Sequence, residues 1–295
     1  MLALVLRLGS ALTLSAMLAL VKLAQQSGIS LVEIMFWRLA PSAPLVVAWL
    51  AFRGELSRLK TRRIFAHARR AMAGLIGMAC VFGGVILLPL AEATTLNFTV
   101  AFWAVILSSL ILKEQVGWWR WGAVLLGFAG VVVVSQPGHA PIPLVGAGVA
   151  LAAAFMIALT SIQIRDLGRT EDPLTIIVYF SAFAFPVLLL PMPFVMQAHT
   201  LYQWGLLAGI GGLGLVGLIL VTTSLRFGRV SSVVVMDYSS LLWATLLGWL
   251  VFGNLPPAAT WLGAPLIVAA GLIITWREHV HHRAVALGAQ GISQA

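Results

Sequence analysis

Polar side chains interrupt long apolar runs of this sequence at Asn97, Gln163, Tyr179, Asp237, Tyr238, Ser239 and Ser240. A polar group held away from water is unfavourable unless it is paired, so each of these is a candidate binding group. An amide pair such as Asn97 and Gln163 is suited to the ammonium and carboxylate of a zwitterion. Asp237 has two readings: it attracts an ammonium or takes up a proton, or it forms a structural ion pair with Arg226 or Arg229. Lys22 and Glu33 flank a short connection and are expected to pair. Arg38 follows Glu33 by five positions, about 140° around a helix, so it is directed elsewhere, to a substrate carboxylate or to helix-end carbonyls.

This set performs recognition rather than bond-making. The glycine pattern of a P-loop is absent, and no nucleophile and base stand at a recognisable spacing. The single cysteine, Cys80, excludes an intramolecular disulfide. Glu278-His279-Val280-His281-His282 reads as exposed histidines at a frayed end rather than a metal site. No enzyme activity, cofactor or metal is predicted.

The elements that must position these groups follow from composition. Of 295 residues, 61% are hydrophobic and 9% are charged, with mean hydropathy +1.02. Soluble domains carry about 25% charged residues, so this chain cannot cover a water-facing surface. A membrane-spanning helix needs about 20 apolar residues, and runs at roughly 3–24, 29–52, 71–91, 94–112, 118–136, 142–164, 173–196, 203–225, 230–252 and 257–276 satisfy that need. These runs are near-continuous and far longer than the ~10 alternating residues of a barrel strand. The first is too long for a signal-peptide core and is read as a retained helix.

Basic residues in short loops stay on the cytoplasmic side. With both termini inside, all 18 lysines and arginines except Lys22 and Arg38 fall in the N-terminal end, the inner connections or the C-terminal tail. The outer loops Gln25–Gly28, Gln136–Pro141, Gln197–Gln203 and Gly253–Pro256 carry none. The net charge of +9 therefore marks one membrane face, and no nucleic-acid partner is expected. The basic stretch from Arg53 to Arg70 is read as an anchor on anionic headgroups.

Five segments per half would force a second copy to insert upside down. Asn97 aligns with Asp237, Trp103 with Trp243 and Glu114 with Asn254 at one offset, 140 (237 minus 97). Pro44 aligns with Pro186, and Ala16–Leu20 resembles Phe155–Leu159. Equivalent turns exchange their charge character: Lys113 to Arg120 is charged and Gly253 to Thr260 is not, while Glu92 to Thr95 lacks the bases of Arg226 to Arg229. The predicted fold is all-α integral membrane, ten transmembrane helices as two inverted five-helix repeats, with cytoplasmic N- and C-termini. The repeats span 1–136 and 142–276, followed by a cytoplasmic tail at 277–295.

Leu90-Ala91-Glu92-Ala93-Thr94-Thr95, the run from Ser108 to Glu114, and Gly122 to Gly130, with Ser224 to Ser232 and Gly263 to Gly271 in the second half, resemble EamA-type members of the drug/metabolite transporter superfamily. Asn254 departs from the pattern, which often has the glutamate seen at Glu114, and this speaks against equal roles for the two turns. The resemblance implies a central cavity lined by segments 1, 3, 4, 6, 8 and 9, alternating access, and export of amino acids across a bacterial-type inner membrane, aromatic amino-acid exporters being the nearest likeness. Nucleosides, drugs or cofactors as cargo, and a passive channel, are the alternatives. Met17, Trp103, Met156 and Trp243 fall near the middle of segments 1, 4, 6 and 9 and suit adaptable apolar walls. The expected cavity set is therefore Met17, Asn97, Trp103, Met156, Gln163, Tyr179, Asp237, Tyr238 and Trp243. Pro41 and Pro44, with Pro186 in the second half, are expected to kink equivalent helices, Pro44 and Pro186 being the expected hinges. The small-molecule substrate and the lipid bilayer are the expected partners, and a monomer is expected to suffice.

Overall fold

Inside a bilayer no water satisfies the backbone, so each segment must pair its own N–H and C=O groups. In the computed structural model, which describes residues 2–111, 118–135, 143–227, 235–273 and 276, the elements are helical, and no strand occurs among the described residues. In chain order they are α1 (Leu2–Gln26), α2 (Leu31–Leu39), α3 (Ser42–Phe52), α4 (Ile64–Leu87), α5 (Leu90–Asn97), α6 (Val100–Ile111), α7 (Trp118–Ser135), α8 (Leu144–Leu167), α9 (Pro173–Leu189), α10 (Met192–Val195), α11 (Leu201–Phe227), α12 (Ser239–Phe252) and α13 (Ala258–Ile273). Short 3-10 turns occupy Leu56–Leu59 and Val235–Tyr238. Six helical runs are long and apolar enough to cross a membrane: Val5–Gln26, Leu31–Phe52, Ile64–Leu87, Leu90–Leu107, Leu144–Ile164 and Leu201–Leu220. Shorter apolar helices occupy Trp121–Val134, Pro173–Leu189, Ser239–Phe252 and Ala258–Ile273.

Prolines and caps set several boundaries differently from the hydropathy pattern. The run expected at 29–52 breaks at Ala40–Pro41, where proline offers no N–H to continue the ladder, giving α2 and α3. Pro89 sets the start of α5 at Leu90, upstream of the expected 94, and a turn at Phe98–Thr99 separates α5 from α6. The α4 helix begins at Ile64 rather than near 71, so part of the basic stretch is helical. Pro186 does not break α9, which runs to Leu189 and stops before Pro191. Ser30 caps α2 by accepting from the Glu33 N–H, and Asp172 caps α9 by accepting from the Leu174 N–H.

The most extensive interfaces pair α1 with α11 and α4 with α8. Glycines bring both pairs together. A Cβ at Gly209 or Gly217 of α11 would lie 2.7 or 2.6 Å from Leu20 or Leu14 of α1. At Gly77 of α4 it would lie 3.1 Å from Met156 of α8. One buried apolar cluster gathers Leu90, Phe102, Val134 and Ile267, and a second gathers Val21, Ile34, Phe82 and Ile210. Large apolar side chains also cover the outside: Phe52 is 94% exposed and Leu201 90%. Such a surface is stable against lipid and not against water.

The helices define two ends. The basic end holds the start of α1, residues 53–63 and the end of α8. The opposite end holds residues 27–30, 88–89, 196–200 and 253–257.

Candidate site beside Arg7 and Asp237

A cavity of about 270 Å³ runs beside α1 from Arg7, near the basic end, to Leu18 at mid-helix. Its other walls are Thr94, Asn97 and Phe98 at the end of α5, and Asp237 and Ser240 at the start of α12. Arg7 Nε donates to Asp237 Oδ1 (2.5 Å) and Nη2 to Oδ2 (2.6 Å), a two-point bond between residues 230 positions apart. The hydroxyls nearby are spent on backbone carbonyls: Ser10 on Arg7 (2.7 Å), Thr94 on Leu90 (2.8 Å) and Ser240 on Asp237 (2.6 Å). Arg7 Nη1 and Asn97 Oδ1 are buried without a hydrogen-bond partner among the described residues. The Asp237 side chain is 40% exposed. The cavity is therefore lined by a cationic, an amide and an accessible carboxylate residue, a combination that fits a ligand bearing both charges.

The structure brings Asn97 and Asp237 together but distributes the other expected cavity residues. Asp237 pairs with Arg7 rather than with Arg226 or Arg229; the side chains of those two lie outside the described residues. Gln163 does not join Asn97 in this cavity, although its Oε1 is buried without a partner among the described residues. Trp103 packs edge-on between Phe128 of α7 (5.7 Å) and Phe155 of α8 (5.4 Å). Met156 fills the approach of α8 to Gly77. Tyr238 stands against Phe98 (4.9 Å), and its hydroxyl rests where a Cβ at Gly271 would be. Tyr179 lies at the basic end, donating to the Leu59 carbonyl (3.1 Å) and stacking on His67 (4.6 Å). Trp243 does not line the cavity, and its Nε1 is buried without a hydrogen-bond partner among the described residues.

The expected Lys22–Glu33 pair does not form. Lys22 Nζ donates to the Leu88 carbonyl (2.5 Å) and lies 5.5 Å over the Phe252 ring, with Glu92 of α5 supplying negative charge nearby. Glu33 instead pairs with His199, both side chains at most 2% exposed. The two residues share a depth, but Lys22 turns toward α5 and Glu33 faces the segment before α11. Arg38 reaches the Gly214 carbonyl through Nη2 (3.2 Å) and the Met17 sulfur through Nε (3.2 Å), and pairs with no acid among the described residues. Met17 itself is buried on α1 between the cavity residues Leu14 and Leu18. At the hinge positions, the break falls at Pro41 rather than Pro44, and the helix passes through Pro186.

Several partners escape sequence reasoning. Arg7 reads as a topology marker, and His199 is an isolated loop histidine. At the basic end, Arg63 pairs with Asp166 (2.5 Å), and buried His67 lies 3.7 Å from Glu171. No local spacing announces any of these; they are visible only once distant helices are adjacent.

The EamA-like transporter family matches this chain over residues 1–136 and again over 144–276. The chain is 30% identical over 265 residues to the pseudopaline exporter CntI of Pseudomonas aeruginosa, covering 89% of this chain and 92% of that one. It is 29% identical over 255 residues to a riboflavin transporter of Vibrio cholerae, with 86% and 85% covered. It is 25% identical over 255 residues to an S-adenosylmethionine uptake transporter of Rickettsia bellii, with 83% and 84% covered. A solved crystal structure shares the fold, with a TM-score of 0.59 at 20% identity over 91% of this chain and 97% of that one. The apolar helices and the family match over both parts of the sequence lead to one conclusion: the chain belongs to the EamA-like transporter family and is a multi-pass membrane protein.

Proposed function

We propose that this chain is a secondary transporter that carries a small amphoteric metabolite through the cavity beside Arg7 and Asp237. The observation that carries the reading is the cavity itself, whose lining sets Arg7, Asn97 and the accessible Asp237 carboxylate around one space. A molecule with a carboxylate and an amine matches that set, and S-adenosylmethionine, the cargo named for one relative, contains such a group. Amino-acid export is the narrower form of the proposal; riboflavin and pseudopaline, named for others, keep flat or larger metabolites as the second form. Arg38 bonds the sulfur of Met17, the chain neighbour of the cavity residue Leu18, and receives an anionic part of the cargo in this reading.

The architecture in this proposal is ten helices in two inverted halves, 1–136 and 142–276, with both termini on the cytoplasmic side of a bacterial inner membrane and one chain as the working unit. The exchanged interfaces support it: α1 packs on α11 and α12 as α8 packs on α4 and α6. The two successive family matches support it as well. The cavity begins at the basic end, while the opposite end is tied by Glu33–His199 and Lys22–Leu88. Alternating access then requires those ties to open. A channel would need a polar path along its whole length, whereas the polar groups here form separate clusters.

Counterflow in proteoliposomes tests the reading, with labelled phenylalanine, S-adenosylmethionine and riboflavin as probes. Saturable, trans-stimulated exchange of at least one probe is expected. Flux that rises without saturation would establish a channel instead.

A further inference from the structure

The cavity beside Arg7 and Asp237 follows one face of α1, and that face continues past the cavity. At about 100° per residue, the α1 residues that line it, from Arg7 to Leu18, fall within an arc of about 140°. Lys22 and Gln25 fall in the same arc, about one and two turns beyond Leu18. Gln25 lines a second cavity, of about 460 Å³, at the opposite end. Ser30 of the α1–α2 connection and Gly83, Ile86 and Leu87 of α4 are among its other walls. Lys22 therefore stands between two cavities along one helix face, its Nζ held by the carbonyl of Leu88, the residue after Leu87.

The two ends of this face carry the same pair of charges. α12 runs beside α1 in the same direction: Arg7 meets Asp237 and Lys22 lies over Phe252, both at a separation of 230 (237 minus 7, 252 minus 22). Arg7 and Lys22 are 15 residues apart (22 minus 7), about 22 Å along the helix. At the Lys22 level α12 offers a ring, and the carboxylate comes instead from Glu92 of α5. Glu92 is 1% exposed, its Oε2 has no hydrogen-bond partner among the described residues, and it makes no salt bridge with Lys22. Helix ends account for part of this arrangement. Lys22 donates where α4 stops and Pro89 has no N–H, and Glu92 stands in the first turn of α5, so each charge is favourable beside its helix end. Those roles leave Oε2 buried and unpaired, use one of the three ammonium donors, and do not require the cation to divide two cavities.

We propose that Lys22 and Glu92 form a second binding station, for a metabolite bearing one carboxylate and one ammonium, occupied as cargo passes between the two cavities; the proposal rests on the transport reading above. Lys22 exchanges the Leu88 carbonyl for the carboxylate of the cargo, and Glu92 receives the ammonium. The cargo carboxylate brings a full opposite charge where Leu88 offers a neutral oxygen, so its arrival releases the tie that separates the cavities. When the cargo leaves, Lys22 returns to Leu88 and the passage closes. A molecule carried along α1 thus meets a cation and a carboxylate at each end, first Arg7 with Asp237 and then Lys22 with Glu92.

The test uses the full chain in lipid nanodiscs with Cys80→Ser and Gln25→Cys, the latter an exposed position in the outer cavity. The rate at which a water-soluble methanethiosulfonate modifies the introduced thiol is read with and without phenylalanine, S-adenosylmethionine or riboflavin. Phenylalanine or S-adenosylmethionine should slow the reaction by about threefold or more at a concentration above its Kd. That protection should vanish in Lys22→Gln and Glu92→Gln and return in Lys22→Arg, whereas the rate with riboflavin, which carries neither charge, should be the same in each. Residues that only cap helix ends would give variants of lower thermal stability with protection intact. Protection that survives in Lys22→Gln, or its absence with both charged probes, would overturn the proposal; Glu92→Gln decides alone if Lys22→Gln does not fold. Saturable counterflow without protection would remove the station and keep the transporter. Protection that depends on Lys22, together with unsaturable flux, would do the reverse.

Discussion

Two glycine crevices, at Gly214 of α11 and Gly74 of α4, receive different guests. Arg38 and Phe180 each stand eight positions after an N-cap (38 minus 30, 180 minus 172). The Arg38 guanidinium covers Gly214 of α11 so closely that a Cβ there would overlap it, while the Phe180 ring covers Gly74 of α4, 3.0 Å from where a Cβ would be. In one crevice the cation meets a backbone carbonyl and a thioether. In the other a neutral ring fills the space, and Arg70 lies over its face at 4.2 Å. The difference teaches that a ring can fill this crossing with the cation stacked outside it, whereas Arg38 fills it with the cation itself. The charge of Arg38, with no acidic partner among the described residues, is the one that the proposed function uses.

The largest expected effect comes from removing that charge alone. Arg38→Met should lower transport by about tenfold or more while leaving thermal stability unchanged or raised, because a buried charge is replaced by an apolar chain of similar length. Phe180→Met should instead cost about 1 kcal/mol of stability with little change in transport. Fluorescence-detected thermal unfolding beside counterflow separates the two, and equal behaviour of the two variants would dissolve the comparison.

Overfilling the crevices sharpens it further. Gly214→Ala should destabilise by about 1–3 kcal/mol, since the guanidinium must leave the Gly214 carbonyl, whereas Gly74→Ala meets a ring that shifts by a few tenths of an ångström and should lose less. Asp237→Asn should raise KM for amine-bearing cargo several-fold and alter stability by about 1 kcal/mol at most, because the carboxylate is 40% exposed. The smallest effect is reserved for the prolines. Pro41→Ala, at the real helix break, should slow turnover by about twofold with KM unchanged, and Pro186→Ala, inside an unbroken helix, should be close to neutral. A larger loss at Pro186 than at Pro41 would place the moving joint in the second half.

The apolar segments were legible because bilayer thickness imposes a length and a hydropathy that no packing detail overrides. Their ends were less so. Ile64 begins α4 seven residues before the apolar run expected from 71, because long basic side chains such as Arg69 and Arg70 can follow a helix to a membrane surface. Asn97 and Asp237 were recognisable as costly polar groups at repeat-related positions, and they do share a cavity. Trp103 and Met156 were placed by depth and repeat position, and neither specifies the face of a helix; both turn into interfaces. Lys22 and Glu33 show the same limit, being close along the chain and at one level yet directed to different partners.

By itself, the sequence determined that the chain lives in a membrane, that its segments are helices, and which family signature it carries, because these depend on composition, run length and local pattern. The tertiary structure alone decided that Arg7 meets Asp237, that Glu33 meets His199, and that Arg38 lies on Gly214. Each of those choices depends on helix rotation and crossing, which are set by how glycines and large side chains interlock over the full interface. One-dimensional spacing records the turns of a single helix, and the partners that matter here belong to two.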